Sequence, residues 1–462
     1  MFKSIISIFM TVVTFFSSLF YTGLNNKPVE REYSIISQGE IGGKLKGNAD
    51  SENNYFDIVF RDSVEFDTVV LKEKNENVTE FSISIKDENG QFQKVYEQER
   101  IGKYRYCVLG ETKTDTVRIT IHSAVDNKFK IKDVDILNVT ENKNDDFRVT
   151  SYLVCQWFYG NENIDVKKMN TITDFILFGV ARFDENGNVY LQDLDINGKM
   201  VSGDKIFKDV IADIKSANPD VNIHCNILGP SGADYEKLHT QAFKKNDDVL
   251  IENILNLLET YDFDGLFFDY EYPYSKESLD AYSDFIVNLD SYMDDYILGA
   301  ALAHWGANIS YGARQALDRI EIMSYDNMTE TNRHAEFATV GGVVAIEDFD
   351  KRGYDLSKCD LGLPFYGRTH GGEEAWPSYA QIAPDITSPF QNYVNKSYLN
   401  GGTYGDGLLT SFNGVQIIKD KTAFAHDYGL GGVMVWHYTC DVPYEDDLSL
   451  FKAIQTSLNT RN

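Results

Sequence analysis

The feature that most constrains the fold is a series of eight short apolar runs after residue 150, with helical patterns between several of them. Runs of this length are typical of strands buried on both faces. Between them, apolar residues recur at helical spacing, as at Leu250, Ile254 and Leu257, and Asn246 is expected to cap that helix. Eight strand–helix units predict an α/β fold, a TIM (β/α)8 barrel, with a doubly wound open sheet as the alternative. The eight runs are 151–157, 175–180, 223–228, 265–270, 297–302, 320–323, 361–365 and 432–436.

The chain before residue 140 has a different pattern. Short segments of alternating polarity, such as 66–71 and 81–85, are separated by polar turns, with no helical periodicity between them. This pattern predicts a small β-sandwich ahead of the barrel. We therefore expect a β-sandwich domain at 30–140, a polar linker at 141–149 and the barrel at 150–462.

The first residues predict an export signal. Lys3 is followed by an apolar run from 5 to 21 that only Ser and Thr interrupt, which is typical of a secretory signal peptide. We expect residues 1–25 to be removed, leaving a secreted protein with no membrane association. An uncleaved anchor is the alternative, because seventeen residues are close to the shortest span of a bilayer.

Charge and cysteine content exclude several kinds of partner. The chain has 43 Lys and Arg against 71 Asp and Glu, a net charge of −28, which repels phosphate backbones, so no nucleic-acid partner is expected. The five cysteines are widely scattered, with no CxxC pair. Neither a disulfide framework nor a zinc site is therefore predicted.

Two carboxylates at the end of the fourth run are the strongest indication of chemistry. Side chains on a strand alternate between faces, so Phe267, Asp269 and Glu271 share one face. The other face is entirely apolar or aromatic and is expected to pack on helices, so the carboxylates point into the barrel. Burying two carboxylates is costly unless they are paired or functional.

Four segments resemble the motifs of one enzyme family. Residues 264–273, DGLFFDYEYP, resemble the D-G-x-D-x-D-x-E signature of family 18 glycoside hydrolases, the chitinases and endo-β-N-acetylglucosaminidases. The other three follow in family order: MSYD at 323–326, LGLPFYGR at 361–368, and GGVMVW at 431–436 with Asp441 beyond it. The resemblance implies a glycosidase whose site lies at the carboxyl ends of the barrel strands.

The resemblance also implies a role for each matched residue. Glu271 would be the general acid and then the general base of a substrate-assisted retaining mechanism. Asp269 would orient and stabilise the substrate's 2-acetamido group, Tyr325 would donate a hydrogen bond to its oxygen, and Asp326 would hold the distorted sugar. No cofactor and no metal are implied.

One position departs from the family pattern. The middle Asp of the signature, which shares a proton with the next Asp, is Phe267 in this chain. An apolar side chain there is expected to change the rate and the pH optimum but not the type of reaction. The substitution is compatible with some endo-β-N-acetylglucosaminidases.

Aromatic residues at the strand ends are candidates for stacking on sugar rings. Trp436 matches the family's tryptophan beneath the bound sugar, whereas Trp157, Trp305 and Tyr366 are candidates by position. Met323, in the matched MSYD segment, completes the predicted substrate-binding set.

The N-terminal region resembles a discoidin, or coagulation-factor type C, domain on segments 66–73, 78–85, 101–105 and 117–121. Domains of this galactose-binding-like class include carbohydrate-binding modules. The resemblance implies either a glycan anchor or a spacer.

These expectations combine into one function and two alternatives. The first is a secreted monomer that cleaves β-1,4 bonds after N-acetylglucosamine in chitin, chito-oligosaccharides or another N-acetylglucosamine-containing glycan. The alternatives are an endo-β-N-acetylglucosaminidase acting on N-glycan cores and a catalytically inactive lectin. The glycine-rich connection between Arg368 and Val415 is expected to be too short for a folded wall, which predicts an open groove and endo attack.

Overall fold

The structure is a computed structural model that describes residues 34–35, 40–43, 45–52, 54–139, 146–160, 164–305, 308–328, 333–339, 341–370, 375–399 and 402–460. The chain divides into two compact units. One contains the described residues within 1–102 and 109–142, and the other contains those within 103–108 and 143–460. The predicted signal peptide and most of the predicted linker lie outside the described residues.

The first unit is built from antiparallel strands, as the alternating pattern predicts. They pair in the order β1-β8-β4-β7-β5-β6, with β2 on β4 and β3 on β8. A discoidin-like sandwich of two packed sheets remains a prediction. The strands are β1 (Ser34–Ile35), β2 (Glu40–Gly43), β3 (Lys46–Asn48), β4 (Tyr55–Glu73), β5 (Val78–Lys86), β6 (Phe92–Gln98), β7 (Arg105–Ala124) and β8 (Lys128–Asn138).

The second unit contains a closed barrel of eight parallel strands. The last strand pairs with the first, and the first pairs with the second, so the sheet closes on itself. This closure confirms the predicted TIM barrel and excludes the open sheet. All eight apolar runs are barrel strands: β9 (Arg148–Val154), β10 (Asp174–Phe183), β14 (Asn222–Leu228), β15 (Gly265–Phe268), β16 (Ile297–Ala303), β17 (Arg319–Met323), β18 (Cys359–Pro364) and β22 (Gly432–Trp436). Three short strands follow β10: β11 (Val189–Leu191), β12 (Leu194–Ile196) and β13 (Lys199–Val201).

Helices follow the strands around the outside of the barrel. Leu250, Ile254 and Leu257 are buried on α5, as predicted. Asn246 precedes α5, but the predicted capping bond is absent; its side-chain amide N–H instead donates to the carbonyl of Glu185 at 2.8 Å. The helices are α1 (Cys155–Phe158), α2 (Val166–Met169), α3 (Gly203–Ala217), α4 (Tyr235–Lys245), α5 (Asp247–Tyr261), α6 (Lys276–Asp290), α7 (Tyr311–Ala316), α8 (Val343–Lys351), α9 (Tyr379–Ile382), α10 (Val415–Tyr428) and α11 (Leu450–Asn459).

The connection between β18 and α10 is folded, so the prediction that it is too short for a folded wall is wrong. It forms a three-stranded antiparallel sheet of β19 (Arg368–Thr369), β20 (Tyr393–Leu399) and β21 (Gly402–Ser411), with α9 in the same insert. Val394 and Tyr398 are buried on β20. The predicted endo attack therefore gains no support from this segment.

An apolar layer crosses the barrel beneath the strand ends. Tyr152, Ile176, Phe267 and Met434 pack together there. The ring of Phe267 lies over Gly299 on the neighbouring strand, and a Cβ at residue 299 would be 2.2 Å from a ring carbon. Phe267 thus fills space that glycine leaves open.

We expect Gly299→Ala to destabilise the barrel by about 1–3 kcal/mol, because a methyl group there overpacks a rigid core. The free energy of unfolding in urea measures this loss. Gly312→Ala is the matched control, since the contact there is 3.3 Å to the side chain of Val287, and it should be close to neutral. Equal stability of the two variants would contradict this packing.

All five cysteines lie among the described residues, are buried and form no disulfide bond. Burial raises the pKa of the Cys155 and Cys440 thiols to about 12. Among the described residues, no helix combines the length and apolar character needed to cross a bilayer.

Candidate active site

Asp269 and Glu271 lie directly after β15, at the carboxyl end of the fourth barrel strand. Glu271 is exposed, whereas Asp269 is partly buried and its Oδ1 has no hydrogen-bond partner among the described residues. Burial, together with the adjacent Glu271 carboxylate, holds the pKa of Asp269 well above its ordinary value. Asp269 therefore holds its proton more strongly than an ordinary aspartic acid does.

Tyr325 lies beside this pair, immediately beyond β17. Burial and then the charges of Asp269 and Glu271 raise the pKa of Tyr325 well above its ordinary value, so its hydroxyl keeps its proton. Burial, and then a hydrogen bond with Glu271, raises the pKa of Tyr272. Two phenolic donors thus face the carboxylates.

Asp326 follows Tyr325 in a left-handed backbone conformation, with φ at 56°. Its Oδ1 accepts a hydrogen bond from Arg368 Nε at 2.8 Å and lies 3.6 Å from His334 Nε2. Burial raises the pKa of Asp326, and the Arg368 charge opposes that rise. Arg368 therefore fixes the position of this carboxylate.

Trp436 forms the floor of the site at the end of β22. Its ring is partly exposed and packs against Tyr152 at 5.2 Å and edge-on against Phe178 at 5.0 Å. Met323 is buried with Ala301 and Ala303 under Tyr272 and Tyr325. Met323 thus supports the site from below.

Two of the predicted tryptophans lie exposed at the rim. Trp305, with 46% of its surface exposed, packs on Tyr272 at 4.2 Å and parallel to Tyr274 at 5.9 Å. Trp157, 53% exposed, lies in α1 rather than in the predicted strand and packs on His437. Both present apolar rings on which a sugar face can stack.

Tyr366 is buried, and the exposed ring next to it is Trp376, which the sequence patterns did not single out. The two rings stack at 5.4 Å, and the Arg368 guanidinium lies 3.5 Å from the centre of the Trp376 ring. Half of the Trp376 surface is exposed. Its tie to Arg368, and through Arg368 to Asp326, links this ring to the site.

We expect Trp376→Ala to raise KM for an N-acetylglucosamine oligosaccharide about fivefold, because a stacked aromatic contact contributes about 1 kcal/mol. Steady-state kinetics measure the change, and kcat should stay nearly constant. Tyr292→Ala is the control, since Tyr292 is equally exposed but lies between α6 and the start of β16. An unchanged KM in Trp376→Ala would exclude this residue from the site.

Asp441 lies outside the cluster of functional groups. Its carboxylate accepts hydrogen bonds from the Ser449 hydroxyl and from the backbone N–H groups of Leu450 and Phe451, at 2.9 to 3.2 Å. Burial raises the pKa of Asp441 to about 6. Asp441 therefore caps α11.

The family model for glycosyl hydrolases family 18 matches residues 148–441, well over half of the chain. The chain belongs to family 18. The matched region begins at the first barrel strand and includes every residue of the site described above.

The curated relatives that match this chain share about a quarter of its residues over the aligned regions. Over 241 residues the chain is 24% identical to Endochitinase 1 of Metarhizium anisopliae, covering 41% of this chain and 55% of the relative. It is 25% identical over 243 residues to the endochitinase of Manduca sexta, covering 46% and 42%. The chain thus spans about half the length of the curated relatives it matches.

Solved family 18 structures share the fold. A GH18 chitinase of Flavobacterium johnsoniae superimposes with a TM-score of 0.54 at 23% identity, covering 68% of this chain and 94% of that one. A class V chitinase of Nicotiana tobaccum gives 0.55 at 18% identity, covering 68% and 100%, and a mutant of it was solved with NAG4.

Proposed function

We propose that this family 18 protein is a secreted retaining glycosidase that cleaves β-1,4 bonds after N-acetylglucosamine in chitin or chito-oligosaccharides. The observation that carries the proposal is the Asp269–Glu271 carboxyl pair beside the Tyr325 hydroxyl, with Tyr325 and Trp436 packed on the same apolar cluster as Phe267. The chitinases among the relatives support the substrate class.

The reaction proceeds in two steps. Glu271 donates its proton to the glycosidic oxygen while the substrate's 2-acetamido carbonyl oxygen attacks the anomeric carbon, which releases the leaving sugar as an alcohol. Water then adds to the anomeric carbon of the oxazolinium intermediate and gives a proton to Glu271. Two displacements at one carbon retain the β configuration.

The neighbouring residues act on the acetamido group and the sugar ring. Asp269 accepts a hydrogen bond from the acetamido N–H group and stabilises the positive charge of the intermediate. The Tyr325 hydroxyl donates a hydrogen bond to the acetamido oxygen. The protonated state of Tyr325 at neutral pH suits it to donation. Asp326, held by Arg368, binds a sugar hydroxyl, and Trp436 stacks beneath the ring.

The proposal also assigns roles to the signal segment and to the N-terminal unit. Residues 1–25 direct export, and the strand-rich N-terminal unit is a galactose-binding-like module that serves either as a glycan anchor or as a spacer. Mass spectrometry of the secreted protein tests the first point through its new N-terminus, which should lie near residue 25. Retention of Met1 would show that the segment is not cleaved.

The function is tested by digesting chitopentaose and a high-mannose glycopeptide in parallel. We expect shorter N-acetylglucosamine oligosaccharides from the first and no change in the second, by mass spectrometry. Proton NMR of the first product should show the β-anomer before mutarotation. Release of the glycan with one sugar left on Asn would instead identify an endo-β-N-acetylglucosaminidase, and no cleavage of either substrate would favour a lectin.

A further inference from the structure

Hydrogen bonds fix the backbone of His334 and Ala335. The His334 N–H donates to the Ser411 hydroxyl at 2.9 Å, and the Ala335 N–H donates to Asn327 Oδ1 at 3.2 Å. The side-chain amide of Asn413 donates to both carbonyl oxygens, at 3.2 and 3.3 Å. Every backbone polar group of these two residues is therefore satisfied.

A buried lysine strengthens this hold. Lys421 of α10 is fully buried, and its Nζ donates to the Ala335 carbonyl at 2.8 Å and to Asn413 Oδ1 at 2.6 Å. Ala335 has a left-handed backbone conformation, with φ at 50°. Strained residues of this kind persist only where the surrounding contacts over-determine them, and they cluster at active sites.

The imidazole of His334, in contrast, has no hydrogen-bond partner among the described residues. The side chain is 1% exposed, and neither ring nitrogen is bonded. Its Nε2 lies 3.6 Å from Oδ1 of Asp326, just beyond hydrogen-bond distance, and its ring packs on Tyr366 with the ring centres 4.9 Å apart. Since buried polar atoms are ordinarily paired, Asp326 is the acceptor that the fold offers to this ring.

The ring is neutral and carries a single N–H. Burial, and then the charge of Arg368, lowers the pKa of His334 well below its ordinary value. A neutral imidazole has one donor and one acceptor nitrogen. Oδ1 of Asp326 already accepts a hydrogen bond from Arg368 Nε at 2.8 Å, so it needs a donor opposite it. The tautomer with the proton on Nε2 supplies that donor.

We propose that His334 is a positioning residue for Asp326, donating from Nε2 to the same oxygen that accepts from Arg368. Two donors on Oδ1 fix the carboxylate and leave Oδ2 to accept from a hydroxyl of the sugar. His334 follows β17 and Arg368 follows β18, so Asp326 is held from two neighbouring connections. The His334 contact is slightly long without substrate, and such contacts commonly shorten when the substrate is bound.

The tautomer of His334 tests the proposal without any reaction. Long-range proton–nitrogen NMR spectra of the full chain, labelled with ¹⁵N in its eight histidines, distinguish a proton on Nε2 from one on Nδ1. The His334 signal is the one that is lost in His334→Gln. We expect the proton on Nε2. A proton on Nδ1 would overturn the proposal, and this readout decides even if no glycan is hydrolysed.

The kinetic test, which rests on the proposed function, compares two variants on chitopentaose. His334→Leu removes the donor and should lower kcat about tenfold with KM nearly unchanged, because one hydrogen bond to a carboxylate that holds the distorted sugar is lost. His334→Gln places an amide donor close to the position of Nε2 and should keep kcat within about threefold of the wild type. Equal losses in the two variants would overturn the proposal.

His426→Phe is the matched control. His426 is also a buried histidine beside an aspartate, with its Nδ1 2.9 Å from Asp427 Oδ1. It lies near the end of α10, which leads into the amino-terminal end of β22, away from the strand ends that carry the site. Its replacement should leave kcat within twofold.

A double variant separates positioning from a purely structural role. In Asp326→Ala the acceptor is gone, so adding His334→Leu should not lower kcat further. A structural role of His334 would instead multiply the two losses, or leave kcat of the folded Leu variant at the wild-type value, and either result would overturn the proposal. Should His334→Leu fail to fold, the tautomer of the wild-type protein still decides.

Discussion

Glu271→Gln is expected to lower kcat on chitopentaose about 10²–10⁴-fold, because glutamine can neither protonate the glycosidic oxygen nor activate water. The side chain is exposed and of equal size, so the fold and the cleft should be unchanged. Titration calorimetry with the oligosaccharide should give a dissociation constant close to that of the wild type. Loss of rate without loss of binding is the signature of a residue that acts on the transition state.

Glu259→Gln is the matched control for this variant. Glu259 is an exposed glutamate in the last turn of α5, which precedes the amino-terminal end of β15, whereas Glu271 follows its carboxyl end; its replacement should leave kcat within twofold. Activity of Glu271→Gln within tenfold of the wild type would reject the assignment of the general acid.

Asp269→Asn is expected to lower kcat about 10²–10³-fold, the range seen when one group that stabilises a developing charge is removed. Asparagine has the same shape but cannot become the anion that stabilises the oxazolinium. Stopped assays on chitopentaose measure the rate, and thermal unfolding checks the fold.

The stability of this variant gives a second readout. The raised pKa of Asp269 means that burial of its charged form costs stability above the folded-state pKa. Asp269→Asn should therefore unfold at the same temperature as the wild type or higher. A strongly destabilised protein, or one with unchanged kcat, would show that Asp269 has a structural role instead.

The barrel was predictable because strands that are buried on both faces appear in the sequence as short, continuous apolar runs. Each of the eight apolar runs became a parallel strand, and the alternation correctly placed Phe267 on the inward face. The acidic motif after β15 could also be predicted as functional, because burying carboxylates without a partner or a function is unfavourable in free energy.

Other features depended on contacts between distant segments. The sequence did not predict the small sheet of β19, β20 and β21, because the glycines in this segment are typical of turns. Trp376 is one more exposed aromatic until Arg368 and Tyr366 are seen beneath it.

The buried thiols make this protein convenient for site-specific labelling. A thiol reacts as its thiolate, and pKa values near 12 for Cys155 and Cys440, together with the full burial of the others, leave almost none at neutral pH. A cysteine introduced at the exposed rim position Tyr274 would therefore react with a maleimide dye ahead of all five native cysteines. A fluorophore attached there would report sugar binding at the rim in real time, without any need to remove the native thiols first.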